Sequence, residues 1–238
     1  MKMAHSLVTE TPLAEMPRVE EDFALARRFM LDCQLTPNGI TDPLLLGAMG
    51  EIPREAFVPE ALRARVYADD AVPLGEGRTL LAPMVLAKMI QLALVQPGER
   101  ALVLAAGTGY GAAVLARMGL IVTGVESEAG FVEAARQAVD FALEGNRPTL
   151  VEGDAKAGQP AGAPYRVILI EGAVESLPRE LASQLGEGGR LVVILRRRGE
   201  PGRIVMLRKL GGGLTEVVGP DAVGPLLPDF APPPGFVF

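Results

Sequence analysis

The chain has almost no histidine and almost no cysteine. His5 is its one imidazole and Cys33 its one thiol. That excludes a Ser-His-Asp triad, a Cys-His pair, a His-ligated zinc centre and an internal disulfide. A reducing cytoplasm is the address that such cysteine usage favours. Tryptophan is absent, and the tyrosines are three: Tyr67, Tyr110 and Tyr165. No apolar run is long: residues 90–95 and 190–195 fall far short of the roughly 20 residues that a helical membrane span needs. Residues 1–17 carry no apolar signal-peptide core. There is no excess of positive charge either. The formal net charge is −6, which argues against binding to a phosphate backbone. The strongest basic cluster, Arg196-Arg197-Arg198, follows an apolar run and precedes Gly199, so it reads as a strand end entering a solvated loop. A reaction performed by this chain must need little acid–base help.

What the chain does have is 49% hydrophobic residues, arranged with period. Residues 1–18 read as a disordered leader and residues 19–238 as one domain. Within it, residues 19–82 form a helical layer, 83–219 a core of alternating strands and helices, and 220–238 a proline-rich tail capped by Phe236 and Phe238. Residues 19–34 show helical spacing, with Phe23, Ala26, Met30 and Cys33 on one side. Asp42-Pro43 is an N-cap followed by proline at the first helical position, opening a helix over 44–50. Further helices are predicted over 84–94, 112–118, 131–143 and 177–185. Strands are predicted over 101–104, 120–125, 149–151, 165–170 and 191–195, with a closing hairpin over 204–210 and 214–218. Alternation with short connections predicts an α/β fold: a doubly wound, mostly parallel sheet covered on both faces, with a C-terminal antiparallel hairpin.

In such sheets the ligand lies outside the carboxyl ends of the strands. After the first core strand comes Ala105-Ala-Gly107-Thr108-Gly109-Tyr110, a turn whose glycines let the backbone approach a ligand and enter a helix. After the second comes Glu126, followed by Ser127, where a carboxylate can accept both hydroxyls of a ribose. After the third comes Asp154, followed by Ala155, placed to meet an adenine ring. Together these suit an adenosyl ligand. The bland alternatives are a structural turn for the glycines, a helix N-terminal carboxylate for Glu126 and a turn aspartate for Asp154. Glu171, after the fourth strand, is a candidate wall residue. A dinucleotide reading also fits G-x-G-x-x-[GA] and the acid at Glu126. Against it, no tyrosine has a lysine four residues on, and no second domain follows.

Several segments resemble one family. Ile52-Pro-Arg-Glu-Ala-Phe-Val-Pro59 is similar to its "VPREEFVP" signature. Tyr67, Asp70 and Pro73-Leu-Gly-Glu-Gly77 follow its "Y-x-D-x-x-x-P-I-G-x-G", and Thr79-Leu-Leu-Ala-Pro83 its "T-I-S-x-P". Gly107-Thr-Gly-Tyr-Gly-Ala-Ala-Val-Leu-Ala116 is similar to its "G-S-G-Y-x-A-A-V-L-A", and Leu185-Gly-Glu-Gly-Gly-Arg-Leu-Val192 to its "L-x-x-G-G-R-L-V". The family is protein-L-isoaspartate O-methyltransferase. The resemblance runs from about Arg28 to Leu210. It implies a Rossmann-like fold binding S-adenosyl-L-methionine, and methyl transfer to the free carboxylate of an isoaspartyl residue in a damaged protein, with neither nucleic acid nor membrane as partner. It assigns Ala105, Gly107, Thr108, Gly109, Tyr110, Glu126, Ser127, Asp154 and Ala155 to the cofactor. The chain departs from the pattern at the family serine, which is Leu81 here. Thr79, two residues earlier, keeps a hydroxyl and is the residue assigned to catalysis. Val103 replaces an acidic residue, Ala105 the first glycine, and Tyr165-Arg166 the usual "F-D". The departures leave two other readings open: a methyltransferase with another acceptor, and a non-catalytic binding protein.

Overall fold

A computed structural model describes residues 19–231. The expectations for residues 1–18, and for Phe236 and Phe238, lie outside the described residues. The N-terminal layer begins with α1 (Val19–Phe29), which widens into a π-helical turn, Met30–Leu35. The wider turn shifts the helical phase. Met30 is buried as the helical spacing predicts, but the shift buries Leu35, and Cys33, expected on the same side as Met30, is exposed. Helix α2 (Pro43–Glu51) starts as read: Asp42 Oδ1 accepts from the N–H groups of Leu44 and Leu45 at 2.9 and 3.2 Å.

Within residues 19–82, expected to form a helical layer, two short strands instead pair as a hairpin, β1 (Val72–Gly75) and β2 (Arg78–Leu80). Its turn, Gly75-Glu76-Gly77, has three successive positive φ values of 103°, 47° and 72°, which the two glycines adopt without steric cost and Glu76 does not. Helix α3 (Pro83–Ala93) follows, capped by Leu94 in the left-handed region.

The core sheet has seven strands: β3 (Arg100–Leu104), β4 (Ile121–Glu126), β5 (Thr149–Glu152), β6 (Tyr165–Val174), β7 (Leu185–Leu195), β8 (Arg203–Leu210) and β9 (Gly213–Asp221). Their order is β5-β4-β3-β6-β7-β8-β9. The first five are parallel, and β8 and β9 add an antiparallel hairpin. The chain winds outward from β3 to β4 and β5, then returns to β6 and β7. The winding therefore reverses between β3 and β6, where such a sheet leaves a ligand crevice.

Both faces are covered, but unevenly. Val103, Val122, Leu169, Val192 and Ile204 face α3, α4 (Tyr110–Arg117), α5 (Ala129–Ala142) and the N-terminal layer. Leu104, Val125, Ile168, Ile170 and Val193 face the other way, toward Ala155, Leu181, Leu227 and Phe230. The helix expected over 177–185 is instead the short 3-10 stretch Arg179–Gln184. Pro178 lacks an N–H, and Leu185 is already drawn into the ladder opposite Tyr165; too few residues remain for α-helical turns. Strand β6 is correspondingly longer than read, continuing through Glu171-Gly172 to Val174. No helix among the described residues is long and apolar enough to cross a membrane.

Candidate active site

The carboxyl ends of β3, β4 and β6 bring three sequence signals together. Ala105 leaves β3 with φ 54°, and Gly107 and Gly109 follow at 52° and 87°. Gly109 N–H donates to Ala106 O at 2.8 Å, closing the turn, and Gly109 O accepts from Ala113 N–H at 2.9 Å to start α4. A side chain at Gly109 would meet the Ala135 Cβ at 3.1 Å, so this glycine permits close helix packing. Ala105 has no such freedom: an L-residue in the left-handed region costs roughly 1–2 kcal/mol.

Glu126 ends β4 and is buried. Its Oε2 accepts from Gly107 N–H at 2.8 Å, so one carboxylate ties the glycine turn to the second strand. Its Oε1 accepts from the N–H groups of Ser127 and Glu128 at 2.8 and 3.2 Å. Arg78, brought in by β2, completes the shell: Nε lies 3.0 and 2.9 Å from the two oxygens and Nη2 2.9 Å from Oε1. Arg78 Nη2 also donates to Ser127 Oγ at 2.8 Å. It lies 2.8 Å from Asp229 Oδ2, an ion pair short of directed hydrogen-bond geometry. Burial disfavours the guanidinium charge, but Glu126 and Asp229 more than offset this and raise its pKa. Arg78 and Asp229 escaped the sequence reading. One sits in a glycine-rich hairpin and the other in a proline-rich tail, and neither carries a periodic signal.

The remaining candidates divide. Thr108 Oγ1 donates to Phe57 O at 2.6 Å, tethering the glycine turn to the N-terminal layer. Tyr110 is fully buried, edge-on to Phe57 with centroids 5.4 Å apart and 4.9 Å beneath the Arg54 guanidinium. Its side chain thus faces the N-terminal layer. Ala155 is buried in the apolar cluster of Leu227 and Phe230. Asp154 is exposed, its Oδ1 accepting from Lys156 N–H at 2.8 Å in an Asx turn. Thr79 is half-buried on β2. Leu81 is 1% exposed, with its Cδ2 near Gly224 of the C-terminal segment. Val103 is enclosed on the helical face of the sheet. Arg166 stands at the opposite end of β6 and bonds Glu187 O, so it lies away from the strand ends that form the site.

Beside the glycine turn sits a second buried group. Arg54 is completely enclosed, donating from Nε to Val66 O at 2.7 Å and from Nη2 to Leu81 O. Glu171 leans over Gly111, whose missing side chain leaves room for the carboxyl. Burial pushes Glu171 up to about 8; Arg54 opposes the rise and Glu126 adds to it. Arg54 Nη1, Tyr110 Oη and Glu171 Oε1 have no hydrogen-bond partner among the described residues. On the helical side, an open groove of about 930 Å³ runs past Phe57, Pro59, Leu74, Phe131 and Phe141. No group of three or more potential metal-ligating side chains occurs among the described residues.

Residues 27–218 match the family model described as Protein-L-isoaspartate(D-aspartate) O-methyltransferase (PCMT). A protein-L-isoaspartate O-methyltransferase of Methylorubrum populi is 44% identical over 183 residues, which is 77% of this chain and 84% of that protein. A solved protein-L-isoaspartate O-methyltransferase superposes with a TM-score of 0.73 at 26% identity, over 84% of this chain and 65% of that one. A putative enzyme of the same kind from Plasmodium falciparum, in complex with S-adenosyl-L-homocysteine, has a TM-score of 0.71 at 20% identity. That match covers 85% of this chain and 98% of the other.

Proposed function

The chain belongs to the protein-L-isoaspartate(D-aspartate) O-methyltransferase family, and from that premise we propose that its strand-end crevice binds S-adenosyl-L-methionine and methylates isoaspartyl carboxylates in damaged proteins. One observation carries the assignment of the site. A buried carboxylate, Glu126, stands at the end of β4 and accepts from the glycine turn that leaves the neighbouring β3, the strand beside which the winding of the sheet reverses. The residues fit the cofactor: a carboxylate for a ribose diol, a glycine-bearing turn for close backbone approach, and an apolar wall at Val125 and Ala155 for a ring.

The cofactor supplies an electrophilic methyl group on a sulfonium that departs as a neutral thioether. The protein's share is binding, orientation and exclusion of water. An acceptor carboxylate, with an ordinary pKa of roughly 4, is ionised at neutral pH and needs no general base. This accords with a chain whose single histidine is His5. Thr79 stands on the strand that also brings Arg78 to Glu126, and its hydroxyl is the donor we assign to the acceptor carboxylate. Ala105, Gly107, Gly109, Glu126 and Ser127 form the cofactor wall. Thr108 and Tyr110 support it from behind, while Asp154 and Ala155 border the adenine end. We read residues 19–238 as one domain working in the cytoplasm on protein or peptide substrates, and on neither nucleic acid nor membrane. Net charge, the single cysteine and the short apolar runs support that reading.

Calorimetric titration of the full chain with S-adenosyl-L-homocysteine, followed by transfer of labelled methyl to an isoaspartyl peptide, tests this. We expect micromolar binding and label that is lost from the peptide in base, as a methyl ester must be. Absence of binding at millimolar ligand removes the cofactor reading. Binding without transfer leaves the fold with another acceptor.

A further inference from the structure

The open groove of about 930 Å³ lies between α5 and the N-terminal layer. One wall is α5, which presents Phe131, Ala134 and Phe141. The other is formed by residues 57–59. Phe141 is 77% exposed. A concave, aromatic-lined surface left open on a folded chain marks a place where another molecule lies. The groove is joined to the strand-end crevice. Leu74, which lines its near end, stands on β1 beside Pro73, and Pro73 pairs with Thr79 of β2. A side chain on Gly107 would meet Leu74 Cδ1 at 3.4 Å. Thr108, of the same glycine turn, also lines the groove. The groove therefore leads away from the hydroxyl assigned to the acceptor carboxylate and from the turn assigned to the cofactor.

Dimensions and chemistry narrow the occupant. From Gly130 to Phe141, both on the groove, α5 rises about 16 Å at 1.5 Å per residue. An extended chain covers that length in about five residues. The polar groups of the floor are spent within the protein. Thr108 Oγ1 donates to Phe57 O, and the Glu55 carboxylate accepts from Arg27 and Tyr67. The rim carries both signs, with Arg63, Glu76 and Glu128 exposed. Neither a nucleic acid nor a strongly charged protein is favoured by such a rim. What the groove offers is apolar contact area, which many sequences can satisfy. We propose that it docks the acceptor polypeptide: an extended segment of about five residues adjoining the isoaspartyl residue, with leucine or aromatic side chains laid against Phe131 and Phe141. This rests on the reading that the acceptor is an isoaspartyl protein, and it adds what the flanking sequence must supply.

The test uses the full chain and three isoaspartyl peptides of equal length. One carries Leu-Phe a few residues before the isoaspartyl residue, one carries it a few residues after, and one has Ser-Ser at both places. One of the two apolar peptides should show a KM about tenfold below that of the serine peptide, with kcat unchanged. Phe141→Ser, at an exposed position, and Ala134→Glu, on the groove wall, should each abolish that advantage. Neither should change KM for the serine peptide or affinity for S-adenosyl-L-homocysteine. Equal KM for all three peptides in the parent overturns the proposal, and so does an advantage that survives both variants. Fluorescence anisotropy of the labelled peptides reads docking without turnover. Peptide binding that both variants lose supports the groove even when no methyl is transferred, and it is then the acceptor reading that fails. Peptide binding that neither variant alters overturns the groove whether or not methyl is transferred. Sedimentation that shows a dimer dissolved by Phe141→Ser gives the groove to a second copy of the chain, and the proposal is then wrong.

Discussion

Glu171 holds its proton because burial leaves it little choice, and this has a measurable consequence. Its folded pKa is raised from 4.5 to about 8. Between those values the folded chain keeps a proton that the unfolded chain has released. Parent stability therefore falls as pH rises through that window, by up to about 1.4 kcal/mol per pH unit, and levels off above it. Glu171→Gln lacks the proton and the slope. Urea unfolding at pH 5 and pH 8 should show the variant gaining on the parent at the higher pH; a constant offset would remove the role assigned to this carboxyl. Leu81 raises the opposite question, a missing polar group. Leu81→Ser should raise turnover on isoaspartyl peptides by about 5- to 150-fold, the worth of one hydrogen bond made in the transition state. It should also lose roughly 2–5 kcal/mol of stability, because the leucine is enclosed. Activity no better than the parent's, after correction for folded fraction, returns position 81 to the core. At this scale the sequence was legible where a residue ends a periodic run, as Glu126 does. It was silent where a partner sits 48 residues away in a turn, as Arg78 does.

Elements were legible where end signals and period agreed. Asp42 with Pro43 announced α2, and Asp42→Ala should cost the protein about 1 kcal/mol, read as a shifted urea midpoint with unchanged m. An unchanged midpoint would mean that the N-terminal layer holds α2 without its cap. The glycine turn, β3 and β4 followed from an apolar run and its punctuation. The β1–β2 hairpin did not, because Pro73 and three residues of turn geometry look like loop, and its pairing is fixed by the chain it covers. The π-helical turn at Met30–Leu35 was invisible for another reason: a one-residue change of pitch leaves composition untouched while rotating Cys33 outward and Leu35 inward. The stretch 177–185 carries helical composition, but strand pairing at Leu185 overrides propensity.

The parallel core follows from the alternation of strands and helices with short connections, while the strand order is set by the tertiary fold. The uneven cover does not follow from alternation either. One face of the sheet meets α3, α4 and α5, and the other meets a 3-10 turn, a loop and residues 225–230. Only a tertiary contact tells a tail packed on that face from a tail lying beside it. The tyrosines are distributed over the same layers. Tyr67 is bonded to Arg27 and Glu55 in the N-terminal layer. Tyr110 lies under Arg54 at the glycine turn, and Tyr165 donates to Gln159 O on the helix-poor face. With no tryptophan to collect their excitation, their ultraviolet emission reports three separate places at once: the outer layer, the turn that would touch a ligand, and the far side of the sheet.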